Sequence, residues 1–266
     1  MAKQNTAPTM KDVAKEAGVS LGTVSKVING IPVGDEYRKK VEQAIKTLDY
    51  HINAYAKGLK NNRTYTVAVI LPNLLNPFFS MVAHYINRAL VNRGYRMLLC
   101  DTEYDYTKEQ EMVQMVAQNK VDGIIALTYN PDLKIPPDVR SVSIDRYLSG
   151  STTCVASDNY NGGRLAAQKL VENGCKNLAF LRIGSPLTSE TNKRRDGFVA
   201  ECEAMQLPCT QKILMDDAPL SEFEHFLEEN LKDGRLAFDG IFCVTDKLAV
   251  AVIKMLRRMG QRVPED

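Results

Sequence analysis

The chain has 266 residues, 44% hydrophobic and 25% charged, a length that suits a small module joined to a larger one and a composition able to bury a core in each. No run of about 18 apolar residues occurs, and the start (M-A-K-Q-N-T-A-P-T) has no apolar signal core, so a helical membrane span is excluded and a cytoplasmic location expected. The net charge of +2 hides an asymmetry: residues 1–64 hold 11 Lys/Arg against 6 Asp/Glu and the remainder 23 against 26, which marks the N-terminal segment as a polyanion-binding head.

From Thr9 to Gly30 the chain reads as two short helices around a tight turn. Thr9 caps the first, with Asp12 completing a capping box. Val13, Ala14 and Ala17 share one face at helical spacing, and Gly18 supplies the stop. Val19 buries the corner and Ser20 caps the second helix. That helix turns Val24, Val27 and Ile28 inward and Leu21, Thr23, Ser25 and Lys26 outward, as a recognition helix in a major groove requires. An ordinary helical hairpin inside a larger domain is the competing reading.

A loop and a third helix follow. Gly34 stands at the cap, Asp35 and Glu36 fill the first turn, and Val41, Ile45 and Leu48 form the buried stripe. Residues 53–60 have helical composition apart from Gly58, but so short a helix orders only against a partner or DNA. The alternative is a flexible tether. Residues 61–64 read as a linker.

Beyond Tyr65 near-continuous apolar strands alternate with amphipathic helices. The strands are T-V-A-V-I-L-P, R-M-L-L-C-D, G-I-I-A-L-T, S-V-S-I-D, L-A-F-L-R-I, Q-K-I-L-M and G-I-F-C-V-T. Helices are expected over 78–93, 108–119, 161–173, 195–205, 221–231 and 247–259. This alternation means parallel sheets covered on both faces, a doubly wound α/β architecture. Such sheets bind ligands outside the carboxyl ends of their strands. Those ends hold Asn73 to Phe79, Asp101, Thr128, Asp145-Arg146, Asp158, Gly184 to Arg194 and Thr245-Asp246.

Six cysteines without a C-x-x-C pair and three scattered histidines predict reduced thiols and no metal site. No dinucleotide fingerprint, phosphate loop or nucleophile elbow occurs, so neither catalytic residues nor a cofactor is expected.

The head's K-D-V-A-x-x-A-G-V-S-x-x-T-V-S-x-V-I-N-G resembles the LacI/GalR family of bacterial transcription regulators. So does the later series L-P-N-L-L-N-P-F-F, V-D-G-I-I, S-I-D-R, S-D-N-Y-N-G-G, R-x-D-G-F and R-V-P-E-D. The resemblance implies a headpiece (1–64) with a hinge helix (53–60). It also implies two lobes (65–157 and 158–266) similar to periplasmic sugar-binding proteins. The family's chains continue past R-V-P-E-D, so the second lobe reads as truncated. Also implied are a homodimer, aided by helix 78–93, and a palindromic operator. A small molecule between the lobes would alter the hinge spacing.

By that resemblance the DNA-contacting residues are Thr9, Ser20, Leu21, Gly22, Thr23, Ser25, Lys26, Asn29, Tyr55, Ala56, Leu59 and Lys60. Leu59 would wedge into the minor groove, where flexible base steps kink most cheaply. Leu21 and Gly22 match the family's main base-reading pair, yet Gly22 has no side chain. Lys26 stands where arginine is common and lacks its planar fork. Direct readout then falls to Leu21, Thr23 and Lys26.

The effector residues carried over are Phe79, Asp101, Asp145, Asp158, Arg194 and Asp246. An aromatic face with carboxylates and an arginine suits a sugar or sugar derivative. Each has a plainer alternative: Phe79 in the core, Asp158 as a helix cap, Asp145 and Asp246 as loop braces, and Arg195 in place of Arg194. The expected function is a sugar-controlled repressor. The other reading is a periplasmic-type sugar-binding protein without a role on DNA.

Overall fold

The computed structural model describes residues 8–51, 63–148, 152–184, 189–215 and 218–265. The chain divides into two compact units, Met1–Thr64 and Tyr65–Asp266.

In the first unit, α1 spans Met10–Ala17, α2 Leu21–Ile28 and α3 Asp35–Thr47. The capping box at α1 is reciprocal: the Thr9 hydroxyl accepts from the Asp12 N–H, and the Asp12 carboxylate accepts from the Thr9 N–H at 2.8 Å. Gly18 ends α1 in the left-handed conformation at φ 61°, and the Val19 N–H returns to the Ala14 carbonyl at 3.1 Å. Val13, Val24 and Val41, one from each helix, are fully buried together, with Ala14, Ala17 and Ala44 filling in. Small residues at the contacts let three short helices close one miniature core.

The second unit holds two parallel sheets. The first contains β1 Thr66–Leu71, β2 Arg96–Asp101, β3 Gly123–Ala126, β4 Ser141–Ile144 and β5 Thr153–Val155, in the order β2-β1-β3-β4-β5. Val67 of β1 pairs with Met97 on one side and Gly123 on the other. Alternation along β1 shows how both faces are covered. Ala68 and Ile70 join Val113 and Val116 of α5 (Tyr106–Gln118), while Val69 and Leu71 join Phe79 and Ala83 of α4 (Pro77–Val91).

The second sheet has β6 Leu178–Ile183 at its centre, between β7 Cys209–Leu214 and β10 Gly240–Cys243. Around it lie α6 Asn159–Glu172, α7 Lys193–Ala204, α8 Ser221–Glu229 and α9 Asp246–Arg258. Phe180, Phe198 and Phe223 are fully buried in its core. Each sheet with its covering helices makes one lobe of this unit.

The seven expected strands are present, with three additions among the described residues. β5 is a three-residue edge strand, too short to show alternation. β8 Leu231–Lys232 and β9 Arg235–Leu236 form a hairpin where the sequence suggested the end of a helix. Asp233 and Gly234 both have positive φ, as a two-residue turn of this type demands. Among the described residues no helix is long and apolar enough to cross a membrane.

Candidate functional site

On the first unit the outward surface of α2 matches a reading helix. Leu21 is 44% exposed, and Lys26 is exposed in the helix's last turn. Ser20 caps the helix by accepting the Thr23 N–H at 3.1 Å, and the two hydroxyls meet at 2.9 Å. Thr23 is therefore tied to the cap and half-buried. The Asn29 amide donates to the Ser25 carbonyl at 2.8 Å and sits near its hydroxyl. Gly22 is exposed, and a β-carbon there would meet nothing closer than Ser20 Oγ at 3.6 Å. Tyr55, Ala56, Gly58, Leu59 and Lys60, which carry the hinge expectation, lie outside the described residues.

In the second unit, strand order puts a crevice at the carboxyl ends of β1 and β3, where connections leave in opposite directions. Six residues were expected to contact an effector between the lobes, and they fare differently. Phe79 is 3% exposed and packs with Val69, Leu71 and Leu127, the core alternative for this residue, while its neighbour Phe78 is 44% exposed. The α4 register turns Phe79 onto the sheet, so its ring offers no open stacking face.

Asp101 closes a loop. Its carboxylate accepts from the Leu74 and Glu103 N–H groups at 3.3 and 3.2 Å. Asp158 caps α6 by accepting the Asn161 N–H at 3.1 Å. Asp246 is exposed in the first turn of α9, whose cap is Thr245.

Asp145 and Arg194 are differently placed. Asp145 leaves β4 at φ 55°, is 7% exposed, and its Oδ1 is buried without a hydrogen-bond partner among the described residues. An unmet buried acceptor is costly, which makes it a candidate for a ligand donor. The Ser143 hydroxyl, two residues back on β4, is buried and unpartnered in the same way. Arg194 stands in the first turn of α7, its Nε donating to Asn159 Oδ1 at 2.7 Å and Nη1 to the Val244 carbonyl at 2.9 Å. It is thereby held beside the end of β10. Arg195 instead turns to Gln211 on β7 at 2.8 Å, so Arg194 is the arginine that belongs to this end of the sheet.

Residues outside the expected six also assemble here. The Arg146 guanidinium lies 4.5 Å from the Tyr129 ring centroid and donates to Thr191 Oγ1 at 3.0 Å. The Tyr147 hydroxyl meets the Glu190 carboxylate, which Lys193 also reaches at 2.8 Å. Arg146 and Thr191 were each legible as strand-end residues; their pairing across 45 positions was not. Beneath the end of β3, Glu109 of α5 is buried against Thr128 and Asn130, and burial pushes its carboxyl above the ordinary glutamate range. Among the described residues no cluster of His, Cys, Asp or Glu suits a metal ion.

Residues 9–53 match the family model described as bacterial regulatory proteins, lacI family. Residues 64–266 match periplasmic binding proteins and sugar binding domain of LacI family. The sucrose operon repressor of Pediococcus pentosaceus is 35% identical over 265 residues, 97% of this chain and 79% of that protein. The ribose operon repressor of Halalkalibacterium halodurans is 33% identical over 97% of this chain and 78% of that one. Among solved structures, a periplasmic binding protein/LacI transcriptional regulator from Alkaliphilus metalliredigens, complexed with D-xylulofuranose, aligns at TM-score 0.65 and 28% identity. That alignment covers 76% of this chain and 75% of that one. The lac repressor dimer bound to operator and the anti-inducer ONPF shares the fold at TM-score 0.78 and 22% identity, over 97% of this chain and 80% of that one.

Proposed function

Since this chain belongs to the LacI family of bacterial regulatory proteins, we propose that it is a sugar-responsive transcriptional repressor that binds a palindromic operator as a homodimer. The observation that carries the reading is the joining, in one chain, of a DNA-reading family head (9–53) to a sugar-binding family core (64–266). A periplasmic sugar-binding protein has no use for a Ser20-capped helix that presents Leu21 and Lys26 on a basic unit. Work on the chromosome places the protein in the cytoplasm.

Leu21, with Thr23 and Lys26 beside it, reads bases in the major groove; Thr9, Ser20, Gly22, Ser25 and Asn29 line the contact. Tyr55, Ala56, Leu59 and Lys60 belong to the hinge, with Leu59 opening the operator's central step. In the core, Asp145 and Arg194 contact the effector from opposite lobes. A carboxylate and a fixed guanidinium suit the vicinal hydroxyls of a sugar or sugar derivative. Asp246, exposed at the head of α9, is the third contact. Asp101 and Asp158 shape the rim through the loops they close. The effector acts through a coupling free energy between cleft and head, by its unequal affinity for the two lobe arrangements.

The test is selection of binding sites from random duplex DNA, followed by band-shift titration at fixed moderate salt with sucrose or D-ribose added. A palindromic consensus whose affinity a sugar changes is the expected result. Equal affinity for the selected site and random DNA would overturn the reading.

A further inference from the structure

The passage from one lobe to the other is more constrained than a linker needs to be. Asp145 holds a left-handed conformation at φ 55°, uncommon outside glycine though least costly there for asparagine and aspartate. Its carbonyl oxygen accepts two donors, the Glu190 N–H at 3.1 Å and Arg146 Nη1 at 3.1 Å. The same Nη1 reaches Thr191 Oγ1 at 3.0 Å, while the guanidinium lies over Tyr129. A backbone bridge between Arg146 and Ser189 completes the crossing. Tyr129, Asp145 and Arg146 belong to the first lobe, and Ser189, Glu190 and Thr191 to the second. One guanidinium thus binds both lobes and the backbone of the residue whose carboxylate oxygen is buried and unpartnered among the described residues.

We propose that Arg146 is a positioning residue of the effector site, clamping Asp145 in its left-handed conformation only while the two lobes lie together. This deepens the sugar-responsive reading and rests on it. A sparsely populated backbone conformation persists where its surroundings over-determine it, and here half of those surroundings are the other lobe. When the lobes part, the Glu190 and Thr191 contacts go with them. Asp145 then keeps its N–H bond to Val155, 3.0 Å long, and relaxes toward the extended backbone of the strand before it. Rotation about φ carries the side chain with it, so the carboxylate leaves the position it holds in the closed arrangement. Effector contact and lobe closure become one event, with Thr191 acting through Arg146 and Arg146 through Asp145.

Thr191→Val removes the hydroxyl and preserves shape. Because that hydroxyl also meets Ser189 Oγ at 2.9 Å, Ser189→Ala, which breaks that bond and leaves the Arg146 contact, is the control and should leave both readouts at the parent's values. Amide hydrogen exchange in the sugar-free protein reads the clamp directly. The Glu190 amide, which donates to the Asp145 carbonyl, is expected to exchange about tenfold faster in Thr191→Val than in the parent. An unchanged Glu190 rate would overturn the proposal. A second arm titrates sucrose and D-ribose in four proteins: parent, Thr191→Val, Asp145→Gly and the double variant. For a sugar that binds the parent, Thr191→Val should weaken affinity by about tenfold while Asp145 is present. In the Asp145→Gly background, where there is no carboxylate left to position, the same change should cost less than about twofold. Equal losses in both backgrounds, as a merely structural role would give, also overturn it. Should neither sugar bind the parent, the sucrose and ribose form of the functional reading falls, while the exchange arm still decides the clamp.

Discussion

Gly163 of α6 and Gly197 of α7 lie where the two helices cross, each against the backbone of the other's helix. A β-carbon on Gly163 would stand 2.8 Å from the Phe198 amide nitrogen and closer still to the Arg194 carbonyl oxygen. One on Gly197 would stand 2.8 Å from the Tyr160 carbonyl carbon and closer to its oxygen. Those obstacles are backbone, which cannot rotate away. The crossing also sets Arg194 beside Asn159, so helix packing and the candidate effector contact are one arrangement.

Gly163→Ala and Gly197→Ala are each expected to destabilise the protein by about 3 kcal/mol, the upper end of overpacking penalties. Thermal denaturation of the two variants checks this. A melting temperature within about a degree of the parent for either would mean that the helices can part without loss.

Two buried glutamates predict opposite pH dependence. Burial raises the Glu109 carboxyl above its ordinary value, outweighing hydrogen bonds to Thr128 and Asn130 that lower it, so the folded protein holds that proton more tightly than the unfolded chain does. Its contribution is fully favourable below the ordinary glutamate range and is lost as pH rises through the folded value. Glu109→Gln keeps a hydrogen-bonding amide without a buried charge, and should melt higher than the parent near about pH 7, with the gap closing below about pH 4.

Glu201 behaves in the reverse sense. Its carboxylate accepts from Gln168 at 2.7 Å and pairs with Arg164 at 2.6 Å, which lowers its pKa. That contribution is present above the ordinary glutamate range and is lost as pH falls through the lowered folded value. Glu201→Gln should therefore melt below the parent at neutral pH and converge with it in acid. A difference that does not change with pH would assign the loss to packing instead.

The head offers a contrast between two substitutions on neighbouring helices. Thr9→Ala breaks the capping box and should cost about 1 kcal/mol. Gly22→Ala places a methyl in ordinary contact with Ser20 Oγ, 3.6 Å away, on a helix and should stabilise it by roughly 0.5–1 kcal/mol. Chemical denaturation followed by helical circular dichroism, on the full chain, measures both. The same sign for both variants would show that α1 and α2 are not governed by these local terms.

Local chemistry was legible in this chain, and long-range pairing was not. The Thr9–Asp12 box, the Ser20 cap and the Gly18 stop each depend on residues within a few positions, and each forms as the pattern implies. Asp158 shows the same rule from the other side, since its carboxylate serves the cap. Phe79 could have been assigned inward from its own spacing, because Ala83 and Ile86 follow at helical intervals and share its cluster. The Asp233-Gly234 turn was likewise visible as a hairpin signal. The meeting of Arg146 with Thr191 left no such trace. It depends on how two lobes come together, which no periodicity within either lobe encodes.

The exposed pair on α2 divides affinity from specificity. Leu21 has no charge to offer phosphate, so its contribution to DNA binding must come from apolar contact with a base, the thymine methyl being its natural partner. Leu21→Ala should weaken the selected operator by about tenfold and leave random duplex binding and the salt slope unchanged. Lys26 carries a charge, and the deciding comparison is whether its loss is felt on all DNA. If it reads a base, Lys26→Ala reduces the ratio of operator to random affinity; if it meets phosphate, both affinities fall together and the salt slope drops by about one. Its place on the same exposed helix as Leu21 favours base contact, so the ratio is expected to fall. Titrations of both variants against operator and random duplex at two salt concentrations separate these outcomes, and parallel loss on both duplexes would move Lys26 to the backbone.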